Sequence, residues 1–172
     1  MILSNQKTTG PGLLDTAQML PHILLVDDDR LICQQLDQLF TQEGYRATVT
    51  ASAEQALELL QNEDIDLVIA DLRLPGMDGV ALTKQVVERW ADVPIIIMTG
   101  YAEIANAVQV LKIGATDYIV KPFGIAAIQE SARVALEKAG SFLEVRQLRR
   151  QFKNGYQFGK MLSKSAEMQR VF

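Results

Sequence analysis

Cysteine, histidine and tryptophan each occur once in this chain of 172 residues, proline occurs five times, and aromatic residues make up only 6%. A single cysteine, Cys33, excludes an internal disulfide; it falls inside a helical pattern where a thiol serves as a small apolar residue, which suits a reducing cytosol. No apolar stretch approaches the roughly 20 residues that span a bilayer, and the first residues lack a charged segment followed by an apolar one. The expectation is a cytoplasmic chain without a membrane anchor. The lone histidine, His22, reads as a strand-edge residue rather than a ligand, Met77 and Trp90 read as packing, and no internal repeat is visible.

What the chain does have is enough apolar matter, 48% of its residues, to enclose one substantial core with tails. Its formal net charge of -4 is unevenly spread: residues 1–124 carry 8 Lys/Arg against 17 Asp/Glu, and residues 125–172 carry 9 against 4. The basic tail has acids interleaved with its cations, the pattern of a solvated helix face rather than of a nucleic-acid contact.

Residues 1–21, with Thr8, Thr9, Gly10, Pro11 and Gly12 among them, show no sustained period and read as a flexible leader. From Ile23 onward short apolar runs alternate with helical patterns, the mark of repeated β-α units and a parallel sheet. Strands are expected at Ile23–Val26, Arg46–Ala51, Leu67–Ala70, Pro94–Met98 and Asp117–Val120. The first helix should place Leu31, Gln35, Leu36, Leu39 and Phe40 near one side and stop at Gly44. Ser52 with Gln55 signals a capping box before a stripe of Ala56, Leu57, Leu59 and Leu60. Pro75 to Gly79 makes a turn ahead of a helix carrying Val80, Leu82, Val86, Val87 and Trp90, and Ile104–Ile113 is a helix closed by Gly114. Five strands in strict alternation with five helices specify an α/β, doubly wound fold.

The last helix starts near Gly124 and runs past what one domain needs. Ile125, Ile128, Ala132, Ala135, Ala139 and Phe142 keep a three-four spacing that Val145, Leu148 and Phe152 resume after a phase slip. Two readings stand: a coiled-coil dimer seam, or a helix whose second half frays beyond Gly140, a residue that costs about 1 kcal/mol in a helix interior.

The order of polar residues behind the apolar runs carries the chemistry. Asp27 and Asp28 close the first strand, Asp71 the third, Thr99 the fourth and Lys121-Pro122 the fifth. In an open parallel sheet ligands gather beyond the carboxyl ends of the strands, so three acids, a hydroxyl and an ammonium should converge on one crevice. Clustered carboxylates repel one another unless a cation intervenes, and hard oxygen ligands on a hydrated site suit Mg²⁺, which leaves positions for phosphate oxygens. Asp71, ending the central buried strand before a turn, is the best phosphoryl acceptor; Lys121 and Thr99 could each donate to a phosphate oxygen.

The runs Ile23-Leu-Leu-Val-Asp-Asp-Asp29, Asp71-Leu-Arg-Leu-Pro-Gly-Met-Asp-Gly79, Ile95-Ile-Ile-Met-Thr-Gly100 and Gly114-Ala-Thr-Asp-Tyr-Ile-Val-Lys-Pro-Phe123 resemble the receiver domain of bacterial two-component response regulators, over 22–139. That resemblance implies a flavodoxin-like fold with strand order 2-1-3-4-5 and phosphorylation of Asp71 by a histidine kinase. Asp28, Asp71 and the Arg73 backbone carbonyl would ligate Mg²⁺, with Asp27 acting mostly through water. Thr99 would move toward the phosphate, Tyr118 would change rotamer, and the Lys121-Pro122 bond would be cis, a rare state even before proline.

Residues Leu148-Arg-Arg-Gln-Phe152 and Phe158 to Phe172 resemble the linker (140–157) and the opening of the AAA+ ATPase domain (158–172) in activators of sigma-54 RNA polymerase, though Ser163 and Ala166 replace a frequent Gly and Pro. No G-x-x-x-x-G-K-[ST] motif and no helix-turn-helix occurs, so ATP hydrolysis is not expected of this chain, and DNA or polymerase contact would need further domains. A homodimer through the last helix and linker is the implied regulatory device. The rival reading is a Mg²⁺-dependent phosphohydrolase with Asp71 as nucleophile. Such phosphatases resemble haloacid dehalogenases and place a general-acid Asp two residues on, where this chain has Arg73.

Overall fold

A computed structural model describes residues 20–100 and 104–140. Strands β1 (His22–Val26), β2 (Arg46–Thr50), β3 (Leu67–Asp71), β4 (Ile95–Thr99) and β5 (Asp117–Val120) alternate with helices α1 (Arg30–Gln42), α2 (Ala53–Asn62), α3 (Gly79–Arg89), α4 (Ile104–Ile113) and α5 (Ile125–Gly140). All neighbouring strands pair in parallel in the order β2-β1-β3-β4-β5, as expected for a doubly wound α/β fold.

The sheet separates two apolar layers. Leu24, Val26, Val68, Ala70, Ile95 and Ile97 face Ala56, Leu60, Leu82, Val86 and Val110 of α2, α3 and α4. Ile23, Leu25, Leu67, Ile69, Ile96 and Met98 face Leu36 and Phe40 of α1 and Ile128, Ala132 and Ala135 of α5. Strands covered on both faces have no solvent side to alternate toward, which is why β1, β3 and β4 read as unbroken apolar runs.

Two local expectations need correction. Leu31 and Gln35 are exposed; the buried stripe of α1 is Cys33, Leu36 and Phe40. At about 3.6 residues per turn, positions 31 and 35 share the side of the helix opposite that stripe. At α2, Ser52 accepts the Gln55 N–H as a cap should, but the Gln55 side chain accepts from Ala51 N–H rather than from Ser52.

Gly114 closes α4 with φ +132°, a conformation that favours glycine, and a Cβ there would lie 3.1 Å from Val87. The compact unit holding the sheet extends to Leu136, and beyond it only the end of α5, to Gly140, is described. The expected leader (apart from residues 20 and 21), the linker after Gly140, the 158–172 segment and the seam residues Phe142, Val145, Leu148 and Phe152 lie outside the described residues. No described helix is long and apolar enough to cross a membrane.

Candidate functional site

Parallel pairing puts the carboxyl ends of the strands at one end of the sheet. Val26 sits level with Ala70, Asp71 with Met98, and Thr99 with Val120. The residues that follow are then fixed by backbone hydrogen bonds between strand ends. Asp27 N–H donates to Thr50 O (3.1 Å), Leu72 N–H to Met98 O (2.9 Å), and Lys121 N–H to Thr99 O (2.6 Å).

Asp27, Asp28 and Asp71 come together there, each offering a carboxylate oxygen within 4.8 Å of the others. Asp27 is buried, Asp71 is partly buried and Asp28 is exposed. One carboxylate oxygen of Asp27 accepts the Asp29 N–H at 2.9 Å, and the other accepts from Lys121 Nζ at 2.9 Å. Lys121 Nζ is also 3.4 Å from Asp71 Oδ2, so a single ammonium spans two of the three acids. Thr99 is fully buried, its hydroxyl donating to Gly100 O at 3.3 Å. Tyr118 is partly buried against the α2–α4 layer, and the Lys121-Pro122 bond is cis.

Charge in this crevice is incompletely balanced. Burial, then the neighbouring Asp27 charge, raises the Asp71 pKa above its ordinary value, against the pull of Lys121 and a hydrogen bond from Arg73 N–H. Burial works against the Lys121 ammonium, but its hydrogen bond and attraction to Asp27, and then Asp71, outweigh that and raise its pKa. Three carboxylates against one ammonium, all hard oxygen donors and one of them open to solvent, fit a divalent cation of the Mg²⁺ type.

Two supporting contacts had no signal in the sequence. The Cys33 thiol donates to Asp27 O at 3.2 Å, tying α1 to the crevice, and burial, then the nearby Asp27 charge, pushes the thiol pKa up to about 11. Glu54, at the start of α2, accepts the Met77 N–H in the loop behind Asp71. An acid in a first helical turn is commonplace, and nothing in the spacing links positions 54 and 77. His22 stands at the start of β1, between β2 and β3, and is buried at the opposite end of the sheet, away from the crevice.

Comparison with known proteins agrees with this geometry. A family profile described as response regulator receiver domain matches residues 23–133. The C4-dicarboxylate transport transcriptional regulatory protein DctD of Rhizobium meliloti is 40% identical over 130 residues, covering 76% of this chain and 28% of that protein. The regulatory protein AtoC of Escherichia coli is 32% identical over 146 residues, covering 85% and 32%. The chain thus spans about a third or less of the length of these curated relatives. Among solved structures, a CheY-like receiver domain protein from Methanospirillum hungatei superposes with a TM-score of 0.68 at 33% identity, covering 71% of this chain and 98% of that one. The receiver domain of NtrX from Brucella abortus gives 0.65 at 31%, covering 67% and 98%.

Proposed function

The chain belongs to the response regulator receiver family, and from that premise we propose that Asp71 is the phosphoryl acceptor of a signalling switch fed by a histidine kinase. The observation that carries this reading is the Asp27, Asp28 and Asp71 cluster with Lys121 Nζ 3.4 Å from the Asp71 carboxylate. In the transfer, an Asp71 oxygen attacks phosphorus, the bond from phosphorus to the kinase imidazole nitrogen breaks, and that nitrogen leaves with its electron pair.

Asp28, Asp71 and the Arg73 carbonyl would hold Mg²⁺, with Asp27 acting through water. A bound Mg²⁺ there offsets carboxylate repulsion and the charge on the incoming phosphoryl oxygens. Lys121 is the ammonium already in place, and it would pair with a phosphate oxygen once one arrives. The Thr99 hydroxyl, now donating to a backbone carbonyl, would exchange that weak bond for a charge-assisted one to the phosphate. Tyr118 would follow into the space Thr99 vacates. The phosphate thereby favours one of two conformations through its differential contacts.

The output belongs to a longer protein. The curated relatives include named transcriptional regulators, and the sequence after Gly140 resembles the linker and ATPase opening of sigma-54 activators. We assign residues 22–139 to the receiver, 140–157 to a dimerising linker and 158–172 to the start of an ATPase domain. DNA and polymerase contacts then fall to domains beyond this sequence.

Acetyl phosphate with Mg²⁺, followed by intact mass measurement, tests the acceptor. One phosphoryl group is expected on the chain and none on Asp71→Asn. Equal uptake by both, or sustained turnover of p-nitrophenyl phosphate in place of a single stoichiometric uptake, would overturn the switch reading.

A further inference from the structure

The loop between Asp71 and α3 is held firmly at its two ends. Leu72 N–H bonds to Met98 O at 2.9 Å, Leu72 and Leu74 are buried, and Gly79 N–H bonds back to Leu72 O at 2.7 Å. Gly79 packs so tightly that a Cβ would lie 2.6 Å from Asp71 O and 2.7 Å from Leu72 Cα, so the backbone of α3 starts directly against the strand end carrying the acceptor. Asp78 caps that helix through the Ala81 N–H at 2.8 Å.

Between these anchors the crest of the loop, Pro75 to Met77, turns through Gly76 at φ +76°. Met77 packs against the α2–α4 layer, and a polar tie comes from another element: Glu54 Oε1 accepts the Met77 N–H at 2.8 Å, across 23 residues of sequence. The same oxygen lies 2.8 Å from where a Gly76 Cβ would be, so a side chain at 76 would make this exposed, flexible carboxylate shift from its place on the Met77 N–H. The missing side chain at 76 thus both allows the turn and makes room for the carboxylate. The Met77 hydrogen bond, then one from Glu54's own N–H, lowers the Glu54 pKa, so the group that grips the loop is an anion at neutral pH.

We propose that Glu54 is a positioning residue for the phosphoryl site: by clasping the loop crest it adds to the hold that buried Leu72 and Leu74 give the Arg73 main chain between them, whose N–H bonds to the Asp71 carboxylate and whose carbonyl would face the metal in the reading above. This inference rests on that reading. Partners that orient a metal's ligands from behind commonly govern affinity by an order of magnitude or more while leaving the fold intact. The clasp comes from α2, whose sequence carries no residue of the crevice itself, so it couples the start of that helix to the chemistry at Asp71.

The test uses the full chain and its Glu54→Ala and Glu54→Gln variants. Amide exchange at Met77, Mg²⁺ affinity by calorimetry, phosphoryl uptake from acetyl phosphate and the thermal midpoint are each measured. Glu54→Ala is expected to speed Met77 exchange by about tenfold, the effect of one lost charge-assisted hydrogen bond, and to weaken Mg²⁺ binding by about tenfold, with the thermal midpoint little changed. Glu54→Gln keeps an acceptor oxygen and should recover most of the Mg²⁺ affinity. If Glu54→Ala binds Mg²⁺ and takes up phosphoryl groups as the parent does, the positioning role is overturned while the receiver reading stands. If the parent chain itself does neither, the receiver reading falls and this one falls with it.

Discussion

The two ends of one parallel sheet hold buried polar groups of opposite character. At the amino end His22 N–H donates to Asp66 Oδ2 and Asp66 N–H returns the bond to His22 O, each at 2.8 Å, while the His22 ring meets the Thr48 hydroxyl at 2.7 Å. Glu63 stands 3.9 Å away. Those partners tie the start of β1 to β2 and to the segment entering β3. At the carboxyl end the acids Asp27, Asp28 and Asp71 crowd together with one ammonium between two of them. The amino end is a joint of mutually paired polar groups, and the carboxyl end is a cluster of three acids with one ammonium bridging two of them. Burial of polar groups therefore does not distinguish a site from a joint here; the charge left over does.

The contrast can be broken first with Mg²⁺. At a hundredfold excess over its dissociation constant a ligand that binds only the folded state adds about 2.7 kcal/mol. Urea unfolding of the parent chain should show a gain of that order, and Asp71→Asn should show much less. An equal gain in both would place the cation elsewhere. Removing the shared ammonium is next. Lys121→Ala leaves the buried Asp27 carboxylate without its cation, and since Lys121 is 22% exposed the loss should be about 2 kcal/mol, below that of a wholly buried pair. The same change should leave the His22 titration untouched.

Effects at the amino end should be smaller. Thr48→Val removes the hydroxyl that meets the His22 ring and should cost about 1 kcal/mol by urea unfolding, with no change in Mg²⁺ affinity. His22 itself titrates as a single, assignable imidazole, the only one in the chain. Burial, then the Arg46 charge, lowers its pKa from 6.5, against the opposing pull of Glu63, Asp66 and the Asp64 backbone. With the folded value below the unfolded one, its contribution to stability is complete above 6.5 and is lost as pH falls through the folded value. An NMR titration should place the imidazole midpoint below 6.5; a midpoint above it would mean that the acids, not burial, control this joint.

Much of the fold was legible because both faces of the sheet are covered. Runs such as Leu67 to Ala70 have no helical or amphipathic alternative of comparable strength, and the polar residue that ends each run marks the point where cover stops. That is why Asp27, Asp28, Asp71 and Lys121 could be placed together from order alone. The stripe of α1 was misread because Leu31 is apolar yet lies opposite Cys33, Leu36 and Phe40, and the sequence does not say which side of a helix meets the sheet. His22 does stand at the edge of its strand, but its burial leaves no mark in the sequence, because the cover over the start of β1 comes from the Glu63 to Asp66 segment, far along the chain. The Glu54 clasp on Met77 was invisible for the same reason: one backbone amide and one carboxylate, joined by tertiary folding, leave no periodic trace.

The central claim is that a carboxylate at position 71 becomes an acyl phosphate. Borohydride reduces an acyl phosphate on aspartate to homoserine, with phosphate as the leaving group, so treating the Mg²⁺ and acetyl phosphate reaction with borohydride and mapping the peptides reads the acceptor directly. Homoserine at position 71, and its absence when Mg²⁺ is chelated, is the result expected. Homoserine at another aspartate, or none anywhere in a chain that has bound Mg²⁺, would contradict the account.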